Sequence, residues 1–195
     1  MKEGLSFPTF KRIFLSEKKI FSLTKEALLL FSFAFLTALG AKIKIEIGPV
    51  PFTFQTFFVL LSGLLLEAQR ASLSQFLYLI LGLLGFPYFA RGGGLSYLLS
   101  PTFGYLLGFI LASFLAGFFS QKTKNHFFLL FLLLIANFSI YLFGLPWLAF
   151  FLKDLKKAFF LGFFPFWLTD TLKVILLWLF FINKDFFKKV VLKKK

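Results

Sequence analysis

The stretch PFWLTDTLKVILLWLFF, from Pro165 to Phe181, is apolar almost throughout but contains two charged residues, Asp170 and Lys173. A charge near the middle of a bilayer costs about 2.5–3.5 kcal/mol on insertion scales. Residues three apart lie on one face of a helix, so this pair can share the cost. The pair either joins two helices as a structural ion pair or lines a site for a polar ligand. We favour the ligand site, because crossing a membrane does not require the charges.

The composition of the whole chain agrees with that of a membrane protein. Of its 195 residues 59% are hydrophobic, and the mean hydropathy is +0.87. A soluble domain of this composition could not cover its surface with polar groups, so we predict an all-α integral membrane bundle.

The chain contains no cysteine, and its single histidine, His126, lies in the polar stretch QKTKNH. Nothing resembles paired catalytic carboxylates, a nucleophile with its base, a metal cluster or a P-loop. We therefore predict no enzyme activity, no metal and no cofactor.

Apolar stretches near the length that a bilayer demands recur along the chain. We predict six transmembrane helices, and the Leu145–Ala158 stretch is expected to be an interfacial turn or short helix. The six spans are residues 25–40, 53–66, 71–86, 101–120, 127–145 and 159–181. Residues 1–24 then form a basic leader, residues 25–183 the transmembrane domain, and residues 184–195 a basic tail.

The basic residues give an orientation. With the N-terminus in the cytoplasm, fifteen Lys and Arg residues fall inside and six fall outside. This favours a multi-pass protein of the inner (plasma) membrane with both termini cytoplasmic. The net charge of +14 sits at the membrane edges, which is typical of contact with the lipid bilayer rather than with nucleic acid.

Two loops on the predicted outer side are rich in turn residues. In GPVPFTFQT, Pro49 and Pro51 stiffen the chain, and Gln55 can donate to and accept from an amide-like or ureido ligand. In ARGGGLSY, three glycines allow a tight loop or lid, and Arg91 can hold a carboxylate. The alternatives are a rigid helix cap and a flexible loop with one anchoring arginine. Since Asp170 is predicted near the outer end of its span, the loops and the charge pair can converge.

Two further patterns concern the helices themselves. Ala34 and Ala38 form an A-x-x-x-A pattern that lets another helix approach closely, and we predict a partner interface there. The pattern also arises by chance in membrane helices. Asn137 is the polar exception in the fifth span, and an interhelical hydrogen bond is its expected role, ahead of a ligand contact.

Five segments, in order, resemble the BioY family, the biotin-binding S-component of energy-coupling factor (ECF) transporters. They run from about Ala34 to Lys173 and are GPVPFTFQT, SQFLYLILGLLGFPYFARGGG, LLSPTFGYLLGF, YLFGLPWLAF and PFWLTDTLK. The chain departs from the family pattern at EAQRAS, where a glycine-bearing loop is expected, and in its longer basic ends.

The resemblance implies a six-helix bundle that binds biotin from outside and works with a transmembrane scaffold subunit and two ATPase subunits. It implies that Asp170 accepts from the ureido N–H groups, that Lys173 or Arg91 meets the biotin carboxylate, and that Tyr78 and Tyr97 pack on the rings. Two other functions stay open. One is a proton-coupled secondary transporter of a small carboxylate or vitamin with Asp170 as relay, and the other is a non-transporting membrane scaffold.

Overall fold

The computed structural model describes the backbone of residues 7–192 and the side chains of residues 20–182. Within that range the chain forms seven α-helices, a short β-hairpin and one 3₁₀ helix, so the helical fold class is confirmed. The elements are α1 Phe7–Lys42, β1 Lys44–Ile45, β2 Phe52–Thr53, α2 Gln55–Leu66, α3 Ala68–Leu83, the 3₁₀ helix Leu95–Leu99, α4 Phe103–Lys122, α5 His126–Leu152, α6 Leu155–Gly162 and α7 Trp167–Leu192.

Three of the described helical segments are long and apolar enough to cross a bilayer by themselves: residues 20–42 of α1, α4 and α5. A fourth span results if α6 and α7, which meet at a bend of 44°, are taken together. Helices α2 and α3 contain only 12 and 16 residues. Both are shorter than the roughly 20 residues of a typical span. The number six therefore stays a prediction.

The helix ends differ from the predicted spans at α1 and at α5. Helix α1 begins at Phe7, so it continues back through much of the predicted leader, while residues 1–6 and 193–195 lie outside the described range. Helix α5 runs through Pro146 to Leu152, where we expected a break at the proline. Membrane helices tolerate proline when neighbouring helices surround the freed carbonyl.

The predicted sixth span is not one continuous helix. Helix α6 ends at Gly162 and α7 begins at Trp167, with a turn over residues 163–166 between them. Pro165 lies in this turn, and proline disfavours helical geometry in the residue before it. The break places Asp170 in the first turn of α7 instead of inside a longer helix.

A small hairpin, which we did not predict, organises the end of the bundle that carries the loops. Strands β1 and β2 pair antiparallel, with Lys44 opposite Thr53 and Ile45 opposite Phe52. Gly48 lies between them with φ +71°, in the left-handed region that favours glycine. The hairpin brings Lys44 beside the start of α2, where Gln55 begins the helix.

Helices α4 and α5 approach closely at a glycine. A Cβ atom on Gly108 would lie 2.7 Å from the Cα atom of Ile140, so only glycine permits this separation. The close approach sets Tyr105 of α4 beside Tyr141 of α5, edge to face, with their ring centres 6.0 Å apart. Both tyrosines face the centre of the bundle and are buried.

The two alanines predicted to form a partner interface lie inside this bundle. Ala34 is 0% exposed and Ala38 is 5% exposed, and both belong to the main hydrophobic core. Between them, Thr37 of α1 hydrogen-bonds to Gln75 of α3 at 3.2 Å. The A-x-x-x-A pattern does mark a close helix contact, but that contact is internal. That a partner subunit docks at Ala34 and Ala38 stays a prediction, and the burial of both side chains within this chain speaks against their direct contact with it.

Candidate functional site

The charge pair of the last helix forms the centre of a buried polar cluster. Lys173 Nζ lies 2.7 Å from Asp170 Oδ1, and Asp170 is only 4% exposed. Tyr141 of α5 donates its hydroxyl to Asp170 Oδ2 at 2.5 Å, and Thr56 of α2 donates to Oδ1 at 3.3 Å. The carboxylate therefore joins three helices, and each of its oxygens already accepts a hydrogen bond.

The ammonium group of Lys173 is equally engaged. Besides Asp170 it donates to the Thr53 carbonyl oxygen at 2.7 Å and contacts Thr56 Oγ1 at 3.3 Å. An ammonium has three donors and no acceptor, so these three oxygens match its full capacity. Lys173 thus ties α7 to the start of α2 and compensates the charge of Asp170 where water is largely excluded.

This cluster forms part of the wall of a cleft whose empty volume, including space open to solvent, is about 540 Å³. Pockets for small molecules commonly combine an apolar lining with a few polar groups that fix the orientation of the ligand. The lining here combines apolar side chains with polar groups, which include Asp170 and the residues that contact it. It consists of Val50, Pro51, Thr53, Gln55, Thr56, Ala90, Tyr97, Thr102, Tyr105, Leu106, Phe109, Ile140, Tyr141, Phe166, Asp170 and Lys173.

Gln55 lies in this lining with its amide fixed by two neighbours. Its Nε2 donates to the Tyr78 hydroxyl at 2.6 Å, and its Oε1 accepts from Thr53 Oγ1 at 3.0 Å. Tyr78 itself is fully buried and does not line the cleft. The structure therefore places Tyr78 behind Gln55, where it orients the amide, and not against the cleft as the resemblance implied.

Tyr97 reaches the cleft from the 3₁₀ helix. Its hydroxyl oxygen accepts a hydrogen bond from Thr102 Oγ1 at 3.1 Å, and its ring centre lies 4.4 Å from that of Phe89. Since the oxygen is the acceptor in this contact, the hydroxyl proton is left for another partner. Tyr97 can therefore offer both a ring and a donor to a molecule in the cleft.

Two loops border the cleft, the first loop at residues 46–51 through Val50 and Pro51 and the second loop at residues 89–94 through Ala90, and we call this side the mouth. Arg91 donates to the carbonyl oxygens of Gly48 at 3.1 Å and Pro49 at 3.2 Å. From the other direction, Lys42 donates to the Phe89 carbonyl at 2.9 Å and Lys44 to the Ala90 carbonyl at 2.7 Å. Hydrogen bonds from these cationic side chains to backbone carbonyl oxygens thus hold the two loops together. Arg91, predicted to bind a ligand carboxylate, holds the first loop and does not line the cleft.

One carboxylate lies among these cations. Glu46 Oε1 contacts Lys44 Nζ, and Glu46 Oε2 lies 3.7 Å from Arg91 Nε. The hydrogen bond and the charge of Lys44 hold the pKa of Glu46 below its usual value. Glu46 is therefore ionised at neutral pH.

The comparisons with known proteins point in one direction. Residues 11–187 match the BioY family. The chain belongs to the BioY family. It is 45% identical to a probable biotin transporter BioY of Pyrococcus horikoshii over 76% of this chain and 89% of that protein. It is 40% identical to the biotin transporter BioY of Thermotoga maritima over 73% of this chain and 85% of that protein.

A solved structure has the same architecture. The crystal structure of the S-component for biotin from an ECF-type ABC transporter aligns with a TM-score of 0.72 at 26% identity. The alignment covers 87% of this chain and 93% of that one. The family resemblance inferred from the sequence segments is confirmed.

Sequence reasoning did not include Tyr141, Thr56 and Thr102 among the candidate site residues, and the structure places all three in the lining of the cleft. Tyr141 is a polar aromatic residue within the very apolar helix α5, which is a weak signal because tyrosines are also common at membrane interfaces. Thr56 and Thr102 lie at the starts of α2 and α4, where hydroxyls are commonly read as caps. Only the tertiary fold brings these hydroxyls to one cleft.

Asn137 does not make the interhelical hydrogen bond that we expected. Its side chain is 1% exposed, and neither Nδ2 nor Oδ1 has a hydrogen-bond partner within the part of the chain that the structure describes. It lies on α5 one turn before Tyr141 but is not in the lining of the cleft.

The described residues also include no group of three or more His, Cys, Asp and Glu side chains that could hold a metal ion.

Proposed function

We propose that this protein captures biotin in the cleft lined by Asp170, as the membrane-embedded substrate-binding subunit of an ECF-type vitamin transporter. The observation that carries the proposal is the buried cluster of Asp170, Lys173, Tyr141 and Thr56 in the wall of a cleft that also has apolar lining residues such as Leu106, Phe109 and Phe166. Biotin has the matching distribution of groups, with a polar ureido ring, an apolar thiophane body and a chain that ends in a carboxylate.

The ureido ring belongs at the polar cluster. Its N–H groups can donate to the Asp170 carboxylate, whose orientation is fixed by Tyr141 and Thr56. Its carbonyl oxygen can accept from a side-chain donor such as the Tyr97 hydroxyl. A site built to hydrogen-bond a substrate rejects analogues that leave its buried groups unpaired, so this arrangement favours a ureido ring over an apolar ring of equal size.

The carboxylate of biotin then points toward the mouth. Lys173 already has three oxygen partners, and a second carboxylate beside Asp170 would add a like charge to a buried site. The mouth carries Lys42, Lys44 and Arg91 against the single carboxylate of Glu46. Of the two cations left open by the sequence, Arg91 and its neighbours suit the ligand carboxylate better than Lys173.

The proposal includes partners and a place in the membrane. Concentrative uptake requires work, and the sequence carries no nucleotide-binding motif, so a scaffold subunit and two ATPase subunits supply the energy. The bundle has six membrane-crossing segments in the inner membrane, with α2 and α3 as the short ones, and both termini are cytoplasmic.

The ion pair of Asp170 with Lys173 disfavours the alternative of a proton relay. Protonation would neutralise the Asp170 carboxylate and leave the buried Lys173 ammonium without its counter-ion.

Uptake of labelled biotin by cells that express the chain with and without the scaffold and ATPase subunits tests the transport proposal. We expect concentrative uptake only with the partners, and we expect it to persist when an uncoupler collapses the proton gradient while ATP is maintained. Uptake by the chain alone that stops with the uncoupler would support a proton-coupled transporter instead.

A further inference from the structure

Glu46 has a position at the mouth of the cleft that the proposed function does not use. Its carboxylate contacts Lys44 on one side and lies 3.7 Å from Arg91 on the other. These cations belong to the hairpin and to the second loop, so one internal carboxylate connects the two elements that border the cleft. The side chain of Glu46 is 48% exposed, and its pairing is accordingly weak and easily exchanged.

Both cations also touch the wall of the cleft through the backbone. Lys44 donates to the carbonyl of Ala90, which is a lining residue. Arg91 donates to the carbonyl of Pro49, which precedes the lining residues Val50 and Pro51. Lys44 and Arg91 therefore lie beside the wall of the cleft. A bound ligand whose acyl chain extends out of the cleft on this side can place its carboxylate between them.

We propose that Glu46 is an internal competitor for the ligand carboxylate: it occupies Lys44 and Arg91 while the cleft is empty and is displaced from them when a carboxylate ligand binds. The inference rests on the proposed function, which places the biotin carboxylate at the mouth. Glu46 thereby lowers the affinity for carboxylate ligands and has no effect on ligands whose acid group is neutral. It is a specificity-determining residue that acts through the two cations.

The variant Glu46→Gln tests this directly, with biotin and biotin amide as the two ligands. Glu26→Gln is the matched control, because Glu26 is also a partly exposed glutamate paired with an arginine, Arg70, at 2.8 Å. Glu26 lies sixteen residues before Lys42 on α1, about 24 Å away along a helix, toward the opposite end of the bundle. Affinities are measured by calorimetric titration of the purified full chain in detergent.

We expect Glu46→Gln to tighten biotin binding roughly two- to fivefold, the range of an exposed ion pair, and to leave the amide unchanged. Glu26→Gln should change neither. Unchanged or weaker biotin binding in Glu46→Gln would overturn the inference, and so would an equal gain for both ligands, which would indicate a general loosening of the loop.

A second pair of variants separates competition from a change in loop structure. In a Lys44→Gln background, the further change Glu46→Gln should tighten biotin binding less than it does in the wild type, because one of the contested cations is absent. An undiminished gain would overturn the inference. Failure of the folded wild type to bind biotin at all would reject the proposed function, and the inference with it. Wild-type binding with no effect of Glu46→Gln would reject the inference alone.

Discussion

The Tyr141 hydroxyl donates to Asp170 Oδ2 at 2.5 Å, joining α5 to α7 in the wall of the cleft. The opposite oxygen of the same carboxylate faces Lys173 and Thr56. Asp170 is thus held from both sides before any ligand arrives. A fixed carboxylate requires little reorganisation on binding, which supports the proposed role of Asp170 in recognising the ligand.

Tyr141→Phe should weaken biotin binding by about 1.5–3 kcal/mol, the range for a hydrogen bond to a charged group. The phenyl ring preserves the packing, so the main change is the lost donor on Asp170. Tyr105→Phe is the control, because Tyr105 also lines the cleft but its hydroxyl donates to the Gly162 carbonyl at 3.0 Å. Equal affinity losses in calorimetric titrations of both variants would contradict the special role of Tyr141.

Asp170→Asn and Lys173→Met should each weaken biotin binding by about 1.5–3 kcal/mol. Each change also leaves the other charge buried without its partner. The double variant should therefore lose less affinity and less thermal stability than the sum of the single variants, since residues in contact are not additive. Strict additivity in both measurements would mean that the two charges act independently, against the ion pair in the structure.

Asn137→Leu should raise the thermal stability of the chain and leave biotin affinity unchanged. The amide is buried without a hydrogen-bond partner among the described residues, and such burial costs about 1–3 kcal/mol. Thr37→Val is the contrasting variant, because Thr37 is buried with a partner, Gln75, and its loss should destabilise. A melting temperature lowered by Asn137→Leu would show that the amide does have a partner, such as an internal water.

Ala34→Leu should destabilise the isolated chain by about 1–3 kcal/mol, because extra methylenes do not fit a filled core. Phe35→Leu on the neighbouring exposed position should change stability little, since Phe35 is half exposed on the outside of α1. Thermal unfolding in detergent, without any partner subunit, makes the comparison. An Ala34→Leu variant as stable as the wild type would indicate that there is free space around Ala34, and that a partner subunit can contact this side chain.

The sequence was sufficient to predict the helical membrane fold and the convergence of the site. The count of basic residues put the two turn-rich loops and Asp170 at the same end of the bundle, and the structure brings them to one cleft. Gln55, Tyr97, Asp170 and Lys173 line this cleft, and their contact with a ligand stays a prediction. Polar side chains in apolar helices are a strong signal, because each one needs a compensating contact.

Other features depend on distances that a sequence pattern does not contain. A-x-x-x-A predicts that a helix comes close to Ala34 and Ala38 but not whether that helix belongs to the same chain. The sequence suggested Arg91 as a carboxylate-binding residue, but it did not show that Arg91 also donates to the carbonyl oxygens of Gly48 and Pro49 and so holds the two loops together. Tyr141 is separated from Asp170 by 29 residues, and only the packing of α5 against α7 makes them neighbours.

Calorimetric titration of biotin into the purified chain, without scaffold or ATPase subunits, tests the central claim most directly when it is run beside Asp170→Asn. We predict saturable one-to-one binding by the chain alone, weakened by about 1.5–3 kcal/mol in the variant, because the ureido ring loses a charged acceptor. No binding by the folded wild type, or the same affinity in both proteins, would contradict the assignment of biotin to the cleft lined by Asp170.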